Sequence, residues 1–354
     1  MAIDIMKLVR RNILDLTPYS SARHEFEGRA SVFLDANENA FGSALPENYN
    51  RYPDPLQWQF KFQLARIKGV PAENIFIGNG SDEVIDLAYR IFCDPAKDNV
   101  IVCPPTYGMY EVSGHINDVA VRKVPLDANF QLDIPAIMDA TDAQTKLLFI
   151  CSPNNPTGNN MRRADIEFLL NNFNGIVVID EAYINYSSQK TFIAELTEYN
   201  NLLVMQTLSK AWGLAALRLG LAYGSMDLID LFNKVKPPYN INEASQQLGL
   251  EALQHTEQVN EWIRITVAER ARVVKALQAM TVVENIFDSA ANFLLVRVSD
   301  AHALYAYLAS NEIVVRNRSK EPGCENCLRI TIGTPGENDD LIKTLQAYTK
   351  DHGK

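Results

Sequence analysis

Lys210 lies in the stretch TLSKAWGLAALRLG, between apolar runs and just past the strand-like segment Leu202–Gln206. Most lysines are solvated surface charges. An amine held at such a place loses its proton more readily and can condense with an aldehyde. An aldehyde cofactor that drains electrons from a substrate carbon needs a carboxylate at its ring nitrogen, and Asp180 ends the apolar run Ile176–Ile179. Three residues on, Tyr183 offers a phenol to the oxygen of such a ring, and Asn155 in Ser152-Pro-Asn-Asn-Pro-Thr-Gly158 offers an amide to the same oxygen. A phosphate group has a cradle in Gly80-Ser81-Asp82, where free N–H groups open a helix, and Ser209 and Arg218 flank Lys210. Tyr107 has a ring face on which a cofactor can stack.

Each residue taken singly has a plainer reading. Ser81, Asp82 and Ser209 are good helix caps, the Asn-Pro-Thr-Gly segment is a turn by composition, Arg218 is an ordinary surface charge, and Tyr107 and Tyr183 fill core volume. What favours the chemical reading is their order, because each group follows an apolar run. In open α/β sheets ligands bind beyond the carboxyl ends of the strands.

The runs themselves are Ile75–Ile77, Val100–Cys103, Val119–Val124, Leu147–Cys151, Ile176–Ile179, Leu202–Gln206 and Leu219–Tyr223. Several are continuously apolar, as strands buried on both faces of a largely parallel sheet should be. Helical patterns at Asp82–Phe92 and Arg163–Phe173 alternate with them in a βαβ rhythm. Beyond Tyr223 the texture changes. Helices are expected at Met226–Val235, Glu243–His255 and Glu257–Met280, then strands at Asn292–Val298, Ile313–Arg316 and Leu328–Ile332, with helices at Ala301–Ser310 and Glu337–Thr349. The pattern predicts a large α/β domain with a mostly parallel sheet flanked by helices, plus a smaller α+β domain. No repeat or low-complexity tract interrupts it.

Composition narrows the function classes. A chain of 354 residues exceeds the usual size of one core, and its 47% hydrophobic and 21% charged content is that of a folded protein. No stretch approaches the roughly 20 apolar residues that cross a bilayer. A net charge of −10 opposes general nucleic-acid binding. The N-terminus carries Asp4 early and Arg10-Arg11 late, the reverse of a secretory signal, and reads as a short amphipathic helix or arm. Five cysteines, an odd number and mostly within apolar runs, suit buried thiols in a reducing cytoplasm. Cys324 and Cys327 form the one C-x-x-C pair; without a second pair or a βαβ context it reads as a turn, and no metal site is expected.

Taken together, SPNNPTG, VIDEAY, TLSKAWGLAALRLG and CLRITIG resemble the fold-type I pyridoxal 5′-phosphate (PLP) enzymes, the aspartate aminotransferase superfamily, over roughly Leu16 to Ile332. Within it, Leu16-Thr-Pro-Tyr19, Leu34–Asn39, Asn50–Asp54, Cys103–Tyr110 and Val315-Arg316 before Cys327-Leu-Arg329 are similar to the histidinol-phosphate aminotransferase family. The resemblance implies a Schiff base on Lys210, Asp180 at the pyridine nitrogen, Asn155 and Tyr183 at the ring oxygen, and Tyr107 on the ring face. Around the phosphate it implies Gly80, Ser81, Asp82, Ser209 and Arg218, with Tyr52 reaching in from the partner subunit of a homodimer. Arg329 would hold an α-carboxylate, and Arg316 with Tyr19 and Asn37 the distal substrate group. The chain departs from the family pattern at Ala40 and Ala216. Also implied are an N-terminal arm over 1–28, a small domain from 29–45 and 252–354, and a cofactor-binding domain over 46–251. The expected reaction exchanges an amino group between histidinol phosphate and 2-oxoglutarate, giving imidazole acetol phosphate and glutamate. The cofactor residues alone do not separate it from a broad-range or aromatic aminotransferase, or from a threonine-phosphate-type decarboxylase.

Overall fold

A computed structural model describes residues 3–19 and 31–352. The expected N-terminal arm therefore falls partly outside the described residues, as does the start of the expected small-domain segment 29–45. Seven strands form the main sheet: β1 (Ile75–Asn79), β2 (Asn99–Val102), β3 (Ala120–Lys123), β4 (Thr145–Cys151), β5 (Ile176–Asp180), β6 (Leu202–Thr207) and β7 (Leu219–Tyr223), in the order β1-β7-β6-β5-β4-β2-β3. Pairings among β2 to β6 are parallel. β7 runs antiparallel to both its neighbours, β6 and β1, so β1 shares the sense of the others.

The apolar runs are explained by burial on both faces. Side chains alternate across a strand; Ile75, Ile77, Leu148, Ile150, Val177 and Ile179 enter one core, while Phe76, Leu147, Phe149, Ile176 and Val178 enter the other. The helices Trp58–Lys68 and Arg163–Asn172 cover the first face, and Ser81–Phe92 and Met226–Val235 the second. A second, antiparallel sheet contains β8 (Val283–Ile286), β9 (Phe293–Val298), β10 (Arg316–Asn317) and β11 (Cys327–Thr331) in the order β10-β11-β9-β8. Leu294, Val296, Leu328 and Ile330 pack beneath the helices Thr256–Leu277, Ala301–Ser310 and Pro335–His352. The residues between them, Phe293, Leu295 and Cys327, join the first core of the large sheet instead. The small sheet therefore turns one face toward the large domain, and Arg329 lies on that face.

One strand is shorter than expected. Of Ile313–Arg316 only Arg316 is in β10, because Ile313 N–H turns back to Leu308 O to close the preceding helix and Val315 drops into the small core. Among its described residues the N-terminal arm has two short helical turns, Ile5–Lys7 and Arg11–Leu14. All five cysteines are unpaired and buried.

Gly220 is where the sheet meets the loop after β1. A Cβ there would overlap the backbone at Gly80 C and Ser81 N, so Gly220→Ala is expected to destabilise the protein by about 1–3 kcal/mol. Gly336 has open space around it in the first turn of the last helix; Gly336→Ala should be neutral or gain up to about 1 kcal/mol. Urea unfolding of both variants checks the contrast.

Candidate active site

The carboxyl ends of β1, β4, β5 and β6 open on one cavity of about 280 Å³. Among its lining residues are Gly80, Ser81, Asp82, Tyr107, Asn155, Asp180, Tyr183, Ser209, Lys210, Arg218 and Arg329, all expected from the sequence. Because β7 is antiparallel, its amino end meets the carboxyl ends of the others, with Asn79 opposite Leu219 and Thr207 opposite Gly220. That reversal delivers Arg218 to the same edge. Arg218 has a left-handed backbone (φ 56°), and its carbonyl accepts from Gly80 N–H at 2.6 Å. Gly80 is also left-handed (φ 77°); a Cβ on it would stand 2.6 Å from Arg218 Nη2. The guanidinium thus lies over the start of the helix Ser81–Phe92, where free N–H groups and the positive helix end favour an anion.

Asp82 has a different part from the one its neighbours suggest. Its carboxylate accepts from Tyr107 Oη (3.0 Å) and faces Arg218 Nη2 (3.4 Å). A carboxylate repels phosphate, so its side chain serves to place Tyr107 and Arg218. The ion pair is half-exposed and adds little to stability.

Asp180 is buried, and burial raises its pKa; the hydrogen bond from Tyr110 Oη (2.6 Å), the Ala182 N–H (3.0 Å) and the charge of Lys210 oppose that rise. Tyr110, stacked on Phe149 at 4.9 Å, was not expected from the sequence. Its one signal is its place three residues after Tyr107 in a short helix. Beside Asp180, Glu181 accepts from Thr191 Oγ1, Phe192 N–H and Gln206 Nε2, and Gln206 accepts from Lys68 Nζ at 2.7 Å. This buried network ties the ends of β5 and β6.

Lys210 stands exposed to the cleft, 5.6 Å over the Tyr183 ring. Its pKa is lowered, first by desolvation, then by the positive charges of Arg329 and Arg218, with Asp180 acting the other way. Asn154 anchors its loop through Pro105 O and Thr157 Oγ1, leaving Asn155 at the cavity. There Asn155 Nδ2 stands 3.5 Å from Tyr183 Oη, and its Oδ1 accepts from Arg329 Nη1 at 2.5 Å. Arg329 lies 5.3 Å over Phe293.

Not every expected residue is gathered here. Tyr52 and Asn37 line a separate groove, where Tyr52 stacks on Tyr239 at 4.5 Å. Tyr19 is 76% exposed, in a third cleft beside Trp58 and Lys61. Arg316 pairs in register with Arg329 but is exposed and outside the cavity lining. Arg318, which nothing in the sequence singled out, does line it. Ala216 is exposed on the short turn Ala215–Leu217. Among the described residues no group of acidic, His or Cys side chains is placed to hold a metal ion.

A lysine with a lowered pKa, a buried carboxylate and an anion cradle in one cavity fit PLP. The sequence pattern of the family "Aminotransferase class I and II" matches residues 28–345, and the chain belongs to that family. The histidinol-phosphate aminotransferase of Parabacteroides distasonis is 51% identical over 97% of this chain and 98% of its own. That of Cytophaga hutchinsonii is 49% identical over 98% and 100%. Within its class, the chain stands with the histidinol-phosphate aminotransferases. A solved structure of the Sinorhizobium meliloti histidinol-phosphate aminotransferase, in complex with pyridoxal-5′-phosphate, matches with a TM-score of 0.78 at 22% identity, covering 89% of this chain and 90% of that one. At that identity the likeness speaks for the fold.

Removing the phenol in Tyr110→Phe takes away a hydrogen bond that holds the Asp180 pKa down, so that pKa rises further. The carboxylate then protonates at higher pH. Loss of that charged hydrogen bond should therefore move the acid limb of the activity profile to higher pH. A kcat–pH profile of variant against wild type measures it.

Proposed function

We propose that this cavity exchanges an amino group between histidinol phosphate and 2-oxoglutarate, giving imidazole acetol phosphate and glutamate in histidine biosynthesis. The observation that carries the reading is the joint presence of Lys210, Asp180 and Arg329 at one cavity beside a helix-start anion cradle. The cofactor is PLP, whose ring supplies a sink for the electron pair left when a proton leaves the nitrogen-bearing carbon. Lys210 is the residue to hold its aldehyde carbon, Asp180 its ring nitrogen, and Asn155 and Tyr183 its ring oxygen, with Tyr107 beside the ring. Gly80, Ser81, Ser209 and Arg218 surround the phosphate end.

Desolvation and two neighbouring guanidinium groups keep the Lys210 amine easy to deprotonate, so Nζ is the group to take the proton from the donor carbon. The buried Asp180 carboxylate keeps a proton on the atom it faces. Arg329 offers a planar fork to an α-carboxylate. Arg316, on the same sheet face, serves the distal group, with Tyr19 and Asn37 as further candidates.

The active unit is a homodimer in this reading. Tyr52 is half-exposed and lies apart from its own chain's cavity, which suits a residue that acts on the partner's cofactor across a two-fold axis. Five unpaired, buried cysteines support a reducing compartment, the cytoplasm, and no described helix is long and apolar enough to cross a membrane.

A donor panel tests the substrate assignment. Histidinol phosphate should be turned over with a higher kcat/KM than phenylalanine, and Lys210→Ala should lose that turnover while still binding PLP in equilibrium dialysis. Preference for phenylalanine would transfer the chain to a broad-range aminotransferase, and CO₂ release without a keto acid to a decarboxylase. Assembly is tested by mixing two impaired chains, Lys210→Ala and Tyr52→Ala. In each heterodimer one site has an intact Lys210 and a Tyr52 from the other chain, so activity should return. Its failure to return in verified heterodimers would remove Tyr52 from that role.

A further inference from the structure

Arg316 lies directly opposite Arg329 in the antiparallel pair β10–β11, and opposed residues share a sheet face. Arg318 N–H continues the pairing to Cys327 O at 2.8 Å, two residues along on each strand. Strand alternation therefore puts Arg318 on that face too, the face that carries Cys327 and Leu295 into the core of the large domain. Three guanidinium groups share it, yet only Arg318 and Arg329 line the cavity.

The charges there divide unevenly. Lys210, Arg218, Arg318 and Arg329 line the cavity, against Asp82 and Asp180. Asp82 is engaged by Arg218 and Tyr107, and Asp180 by Tyr110. Arg218 belongs to the helix-start cradle, and Arg329 already donates to Asn155. Arg318 is left. Its Nε is buried without a hydrogen-bond partner among the described residues. Its nearest carboxylate, Glu321, is 3.6 Å from Nη1, longer than a charge-assisted hydrogen bond. Its charge is the largest electrostatic influence on Arg329 after burial.

We propose that Arg318 is a specificity-determining residue whose guanidinium, inside the cavity mouth beside Arg329, grips the phosphate of histidinol phosphate, which stands where an amino acid carries its α-carboxylate. Arg316, farther out on the same face, keeps the distal group of the other substrate. This rests on the substrate reading above. A planar fork with an unfilled buried donor suits a phosphate oxyanion.

The test compares histidinol phosphate with histidinol, the same amine without its phosphate. In Arg318→Gln the ratio of kcat/KM for the two should fall about tenfold or more, with the loss of histidinol phosphate efficiency falling on KM rather than kcat. Arg318→Lys, which keeps the charge but not the fork, should give an intermediate ratio. A wild-type preference for the phosphate ester that survives unchanged in both variants overturns the role of Arg318 and leaves the substrate reading standing. A kcat loss shared equally by both amines also overturns it, leaving Arg318 as a support for the turn at Cys324. If the wild type shows no preference for the ester, the substrate reading itself fails, and this proposal with it.

Discussion

Strands that run the same way must put their carboxyl ends on one edge, and that geometric constraint governs the rest of this molecule. Each parallel crossover returns the chain to the opposite edge before the next strand begins, so loops after β1, β4, β5 and β6 collect where Gly80, Asn155, Asp180 and Lys210 are found. The single reversed strand, β7, is the exception that completes the arrangement. It contributes its beginning rather than its end, and with it Arg218. Closing it against the β1 loop demands two glycines, Gly80 and Gly220, because side-chain carbons at either place would collide with the neighbouring group.

Burying charge in such a place raises an electrostatic problem, and the site answers it with paired neighbours. A carboxylate withdrawn from water is costly without hydrogen bonds, and Asp180 has a phenol and a backbone N–H. The adjacent Glu181 is satisfied separately by Thr191, Phe192 and Gln206. Successive residues of one strand end thus face opposite ways: one toward the cavity, the other into a supporting network. On the far side of the cavity the small sheet presents Arg329, whose bond to Asn155 joins the two sheets through their polar side chains.

Strands buried on both faces were legible because a short, continuously apolar run between turn residues must be covered on every side, and the cavity followed from what stood after each run. Other parts were hidden for physical reasons. The helix Trp58–Lys68 places Trp58, Phe60, Phe62 and Leu64 at alternate positions, a strand-like spacing, with Phe62 exposed and Lys61 buried. β8 is a half-exposed edge strand, Val-Glu-Asn-Ile, with no apolar run. Tyr110 touches Asp180 across a gap of many residues that no local pattern encodes. Arg318 was in principle readable, since it stands two residues past Arg316 and strand alternation places both on one face. What the chain alone does not reveal is depth: Arg318 reaches the cavity while Arg316 stays outside. Sequence similarity implied Tyr52 at the partner's cofactor phosphate and Tyr19 and Asn37 at the distal substrate group; within one subunit the three line other clefts.

The strand order also imposes a timetable on synthesis. Among the described residues β1 is the first strand of the large sheet to be made, yet its partner there is β7, the last. Until Leu219–Tyr223 has been translated, Ile75–Asn79 has no sheet to join, although Ile75, Phe76 and Ile77 are destined for full burial. Distant pairings of this sort form late and slowly, and an unpaired apolar strand is a template for association with other chains. The nascent protein therefore passes through an interval in which the strand leading to its anion cradle is apolar and unpaired. That interval ends when β7 slots between β1 and β6.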